Sequence, residues 1–106
     1  MPMIDITNDN FDTEIDKYPL CILDFWAEWC EPCKAFLPIF EAAALEHPDI
    51  LFGRINTETE TVLAKQFEVM SIPTLLAAKD GTITQTQIGM VPPTKLASII
   101  KSLRES

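Results

Sequence analysis

The sequence is short of positive charge. Eight lysines and arginines stand against sixteen aspartates and glutamates, leaving a formal net charge of −8 at pH 7. That balance lacks the basic footprint that nucleic-acid binding requires, and it gives no attraction to anionic membrane surfaces. Long apolar runs are missing as well, since none approaches the roughly 20 residues of a membrane-spanning helix. The first twelve residues, MPMIDITNDNFD, are acidic and polar, with no basic stretch leading into an apolar one. No signal peptide is read there, and the expected compartment is the reducing cytoplasm. Repeats, low-complexity tracts and linkers are also absent. The chain has 106 residues, 47% of them hydrophobic, and is expected to fold as one domain over residues 1–106 with a core of its own.

The apolar residues fall into regular patterns. Residues 3–6 are a short strand candidate. Asn8, Asp9 and Asn10 offer caps to a helix whose Phe11 and Ile15, four apart, share one face. Residues 20–27, LCILDFWA, form a nearly continuous apolar run, the mark of a strand buried on both faces of a parallel sheet. Cys33, Phe36, Leu37, Phe40, Ala43, Ala44 and His47 follow helical spacing. Pro32 suits the first turn of that helix, and Pro38 is expected to kink it. Residues 50–55 read as a strand, 58–67 as a short helix, 74–78 as an apolar strand and 82–88 as a polar edge strand. Lys79-Asp80-Gly81 is a hairpin turn between the last two. Leu96, Ile99, Ile100 and Leu103 mark a closing amphipathic helix opened by Pro92-Pro93. The order βαβαβαββα implies an α/β fold: a central mixed, mainly parallel sheet of about five strands, flanked by about four helices.

The chemistry concentrates in residues 29–34, WCEPCK. A Cys-x-x-Cys can be a metal clip, a structural staple or a redox pair. A zinc site needs about four ligands, and only Cys21 and His47 remain to complete one. Cys21 begins the strand that leads to the motif, several residues at roughly 3.3 Å each from Cys30. His47 lies more than three helical turns beyond Cys33. No metal site is therefore expected. Cys21 is read as a small buried hydrophobe, and His47 as a helix-end residue near the negative end of the dipole. A thiol at a helix start, by contrast, faces unpaired N–H groups that stabilise a thiolate. With Pro32 early in the helix, Cys30 sits at the N-terminus and Cys33 in the first turn. Cys30 then acts as the exposed nucleophile and Cys33 as the resolving thiol.

Two further positions stand out. Asp24 interrupts the apolar strand, where a carboxylate is costly unless it is paired or used. It is either a proton acceptor for Cys33, with a pKa raised by desolvation, or the partner of Arg54 on the next strand; both can hold. Pro73 stands directly before an apolar strand. It is either a plain strand-start proline or a cis proline that shapes the loop.

Residues 24–34, DFWAEWCEPCK, resemble the active-site stretch of the thioredoxin family, and residues 71–75, SIPTL, resemble its cis-proline loop. The Lys79-Asp80-Gly81 turn, Gly89 and the helix containing Pro38 are similar too, so the likeness spans essentially the whole chain. It implies a thioredoxin fold and a thiol–disulfide oxidoreductase that reduces protein disulfides. It implies a Cys30–Cys33 disulfide in the oxidised form, Cys30 as nucleophile, Cys33 as resolving thiol and Asp24 as buried acid/base group. Pro73 would be a cis proline facing the dithiol. Trp29, Ile72, Gly89 and Met90 would line a shallow substrate groove beside it. The resemblance also implies no bound cofactor, regeneration by an NADPH-dependent flavoprotein (thioredoxin reductase), and a place in electron transport and cell redox homeostasis. A small acidic domain with no second apolar face is expected to be a monomer.

Glu31 departs from the family pattern, which usually has glycine there. So do Arg54, where lysine is usual, and Asn56-Thr57, where the family is more acidic. Two charges about 7 Å apart in water interact by roughly 0.6 kcal/mol. A carboxylate that close to Cys30 disfavours the thiolate, and hence the reduced form, by at most about 10–15 mV. Glu31 either tunes the potential in this way or selects partners by charge. Two other functions compete with the reductase: an oxidase or isomerase of an oxidising compartment, and a binding module whose thiols are incidental.

Overall fold

A computed structural model describes residues 3–106. Nine elements occur in the expected order: β1 (Met3–Asp5), α1 (Phe11–Asp16), β2 (Leu20–Trp26), α2 (Glu31–Glu46), β3 (Leu51–Asn56), α3 (Thr61–Gln66), β4 (Thr74–Lys79), β5 (Thr82–Ile88) and α4 (Pro93–Glu105). In space the strands run β1-β3-β2-β4-β5. β1 and β2 each lie parallel to β3, whereas β4 is antiparallel to both β2 and β5. The antiparallel share is one pairing larger than the hairpin alone would make it, and the length of α3 explains why. Its six residues span about 9 Å. A parallel crossover would have to travel back along a strand of roughly 20 Å. The chain never reaches the far rim of the sheet, so Thr74 enters beside Phe25 at the end of β2, and β4 runs the other way.

Side chains alternate between the two faces of the sheet. On one face Ile22, Phe52, Leu75 and Ala77 pack against Phe36, Phe40 and Ala44 of α2 and Leu96, Ile99, Ile100 and Leu103 of α4. On the other, Leu23, Phe25, Leu51, Ile55 and Leu76 pack with Ile6 and Leu63, bordered by Phe11, Ile15 and Phe67. β2 is thus covered on both sides, as its nearly continuous apolar run implies. Cys21 belongs to the second cluster, and burial pushes its thiol up to about 11. A thiol held that far from ionising is an inert hydrophobe.

Local chemistry moves two details. Asn10 precedes α1 without capping it; its Oδ1 accepts the Thr7 N–H at 2.7 Å and its Nδ2 donates to the Asp5 carbonyl at 3.0 Å. The amide closes the turn after β1 instead. α3 starts later than its periodicity predicts because Asn56 Oδ1 accepts the Glu58 N–H at 2.9 Å, folding residues 57–59 into a turn. α2 continues through Pro38. The β4–β5 hairpin has positive φ at Asp80 (51°) and Gly81 (82°), as a two-residue turn matching the strand twist demands. β5 lies at the sheet edge with most of its residues exposed. His47 ends α2, and its Nδ1 accepts from Arg104 of α4 at 3.0 Å.

Gly53 of β3 leaves no free space for a side chain. A Cβ there would lie 2.7 Å from Cγ1 of Ile6 and 3.0 Å from Cδ2 of Leu23. Gly53→Ala is expected to destabilise the fold by about 1–3 kcal/mol through overpacking. The measurement is the urea midpoint at unchanged m value. An unmoved midpoint would mean that Ile6 yields without cost.

Candidate active site

β2 carries the chain to the rim of the sheet, and a turn closed by the Cys30 N–H on the Ala27 carbonyl at 3.2 Å starts α2. Cys30 is the N-cap of that helix, with extended backbone, and its Sγ accepts the Cys33 N–H at 3.2 Å. Pro32, in the first turn, has no N–H to leave unpaired. The free donors and the positive end of the α2 dipole therefore converge on the Cys30 sulfur, an arrangement that favours a thiolate. The helix is held in place from its other side by Phe36 and Phe40 in the core.

Cys30 and Cys33 are joined in a disulfide, with Cα atoms 5.3 Å apart. Cys33 is fully buried and Cys30 is only 3% exposed. Ala27, Trp26 and Ile72 pack around the pair. The expected exposed nucleophile is thus accessible in a narrower sense: Cys30 is open only where it lines a cavity of about 550 Å³. Trp29, Glu31 and Pro32 line the cavity on the motif side, and Thr57, Val69, Met70, Ser71 and Ile72 complete it. The Ile72–Pro73 peptide bond is cis. The Pro73 carbonyl accepts the Gly89 N–H at 2.8 Å, and Gly89 has φ of 92°, which glycine reaches without strain. Gly89 and Met90 therefore adjoin Pro73, but neither is among the residues lining this cavity, and nor is Pro73 itself.

Thr57, Val69 and Met70 were not read from the sequence as groove residues, and Ser71 was read only as part of the 71–75 loop. Val69, Met70 and Ser71 directly precede Ile72, and a methionine outside either hydrophobic period was a usable signal. Thr57 had none. It reaches the site because its N–H donates to the Trp26 carbonyl at 2.9 Å, a pairing set by the β2–β3 register.

Asp24 lies at the centre of the sheet, opposite Arg54 of β3 and Leu75 of β4. It is fully buried and shares the sheet face of Ile22, over which α2 packs. Arg54 Nε stands 3.9 Å from its Oδ2, an ion contact without a hydrogen bond. Among the described residues, neither carboxylate oxygen has a hydrogen-bond partner. The guanidinium lies instead over the Trp26 ring, 4.0 Å from its centroid, a cation–π contact. Burial raises the Asp24 pKa and Arg54 lowers it; burial wins, and the carboxyl is pushed up to about 7. Glu31, by contrast, is exposed and stands 3.6 Å from Lys34. Among the described residues, no group of three or more His, Cys, Asp or Glu is placed to hold a metal ion, and no helix is long and apolar enough to cross a membrane.

The raised Asp24 makes stability depend on pH. The folded chain keeps this proton where the unfolded chain, with an ordinary value of 3.8, has lost it. The benefit is complete below about pH 4 and is lost as pH climbs through about 7. A shift of that size corresponds to a stability change on the order of 4 kcal/mol. Asp24→Asn is therefore expected to be the more stable protein at pH 8, with the gap closing toward pH 4. Urea unfolding of the oxidised form at both pH values measures it. Equal stabilities at pH 8 would show that the buried carboxylate costs nothing.

Residues 2–102 match the family model Thioredoxin. The chain is 39% identical over 95 residues to a thioredoxin of Chlamydia pneumoniae, covering 90% of this chain and 92% of that one. It is 37% identical over 103 residues to a thioredoxin of Staphylococcus haemolyticus, covering 94% and 96%. Among solved structures it is similar to the oxidised mitochondrial thioredoxin 3 of Saccharomyces cerevisiae, with a TM-score of 0.85, 31% identity and 94% of each chain covered. With its five-stranded mixed sheet, four helices and a cysteine pair bonded across the start of α2, the chain belongs to the thioredoxin family and is a thiol–disulfide oxidoreductase.

Proposed function

We propose that the reduced chain donates two electrons to protein disulfides, with Cys30 attacking and Cys33 resolving. What supports this division of labour is the Cys30 sulfur, which accepts the Cys33 N–H at 3.2 Å and lines the cavity, while Cys33 is sealed beneath it. The Cys30 thiolate attacks one sulfur of the substrate disulfide, forming a mixed disulfide and releasing the first substrate thiolate, which takes a proton from water. Asp24, ionised in a large share of molecules near neutral pH given a value of about 7, accepts the Cys33 proton directly or through water. The Cys33 thiolate then attacks Cys30 Sγ, closing the Cys30–Cys33 bond and releasing the second substrate thiolate. Pro73, Trp29, Ile72, Gly89 and Met90 would flank the extended substrate segment, whose main chain supplies affinity without demanding one sequence.

The oxidised chain is regenerated by an NADPH-dependent flavoprotein, thioredoxin reductase, and the protein works as a single-domain monomer in the cytoplasm, carrying electrons for redox homeostasis. Family membership supports this part of the reading, as does the need of a reductant to keep the dithiol reduced.

Two outcomes are expected. Cys33→Ser will accumulate a mixed disulfide with substrate through Cys30, and Cys30→Ser will accumulate none, as read by mass spectrometry under non-reducing conditions. The reverse pattern would exchange the two roles. The two-electron midpoint will lie near or below about −270 mV, and Glu31→Gly will make it less negative by at most about 10–15 mV, because removing a carboxylate near Cys30 eases formation of the thiolate. A more negative midpoint in Glu31→Gly would refute this electrostatic effect.

A further inference from the structure

We propose that Glu31 makes the site selective for disulfides flanked by lysine or arginine, so that the favoured substrates are cationic segments of protein. This rests on reduction through Cys30 as described above and names the substrate class it prefers.

Among the described residues lining the cavity beside Cys30, Glu31 is the one that carries a charge. Its side chain is 83% exposed, so an incoming chain meets the carboxylate directly. The remaining wall is neutral. Met70 is 95% exposed and Trp29 66%, while Thr57 and Ser71 contribute only hydroxyls. Nothing on this wall offers a cation to an acidic substrate. Lys34 stands 3.6 Å from Glu31, but it lines the adjacent cavity with Trp26, Glu28 and Arg54, so it weakens the negative charge without replacing it in the groove. The chain as a whole carries −8, and its long-range field has the same sign as the local contact.

Chemistry fixes where the substrate must lie. To form the mixed disulfide, one substrate sulfur has to reach Cys30 Sγ, and Glu31 is the next residue in the chain. Residues adjoining the substrate cysteine therefore pass within several ångströms of its carboxylate. A unit charge about 7 Å away in water changes a rate by about 3-fold. Exchanging a flanking lysine for glutamate reverses the sign, so two such substrates should differ by about 8-fold.

The test uses the full-length reduced chain and three matched peptides, each closed by one disulfide and carrying Lys, Gln or Glu beside the cysteines. Single-turnover reduction is followed by tryptophan emission, and the Lys-to-Glu rate ratio is read. That ratio cancels any change Glu31 makes to the intrinsic reactivity of Cys30. At low ionic strength the ratio is expected near 8 or above, falling toward one in about 1 M salt, where screening acts within about 3 Å. Glu31→Gln should lower the ratio by about 8-fold, and Lys34→Gln should raise it. A ratio unchanged by Glu31→Gln would overturn the proposal and leave only the field of the whole chain. Failure of the parent chain to reduce even the Gln peptide would sink the Cys30 reading itself, and the proposal with it.

Discussion

The contact on which the site depends is the Cys33 N–H donating to Cys30 Sγ across 3.2 Å. It exists because a sulfur occupies the N-cap of a sixteen-residue helix, where Ser, Thr, Asp or Asn would ordinarily supply the acceptor. The helix cannot slide away from that sulfur. Phe36, Phe40 and Ala44 fix it against Ile22 and Phe52, and the Cys30 carbonyl accepts the Lys34 N–H at 3.2 Å. The same donors that complete the helix end in the disulfide form face the charge when the bond opens, so little of the backbone has to move for the redox change.

On the sheet face that α2 covers, the fold tolerates a buried carboxylate. Asp24 occupies a strand covered on both faces, and its one nearby cation stacks on Trp26 without hydrogen-bonding to it. Had Arg54 formed a close bidentate pair, it would have held the carboxyl well down and left a weak proton acceptor. Held 3.9 Å away, it partly offsets the desolvation. The buried carboxyl, pushed up to about 7, costs stability at neutral pH, and the proposed mechanism uses that value to take the Cys33 proton.

Charge is sorted between the two sides of the motif. The basic groups Lys34 and Arg54 line one cavity with Trp26 and Glu28, whereas Glu31 faces the other, with Met70 and Thr57. A helix turns about 100° per residue, so Glu31 and Lys34, three apart, share a flank of α2 closely enough to interact while bordering different spaces. In the reading proposed above, Glu31 acts on both the Cys30 sulfur and whatever approaches it.

The order of elements, the faces of α2 and α4 and the twofold burial of β2 were legible in the sequence, because periodicity and apolar run length report burial directly. Cys30, Cys33, Asp24 and the 71–75 loop were legible too, since each breaks a local rule: a thiol at a cap, a carboxylate in a core strand, a proline at a strand entry. Other features needed the tertiary structure. The direction of β4 follows from the distance α3 can cover, and Asn10 and Asn56 chose turns over the helices beside them. Thr57 and Met70 entered the groove through strand register and loop path. Arg54 stacks on Trp26 while keeping an ion contact to Asp24 without a hydrogen bond, a division between two neighbours at nearly equal distance. Sequence determines which side chains must be buried and which backbone groups lack partners; only the packed chain decides which distant groups meet, because those contacts depend on distances that no local pattern encodes.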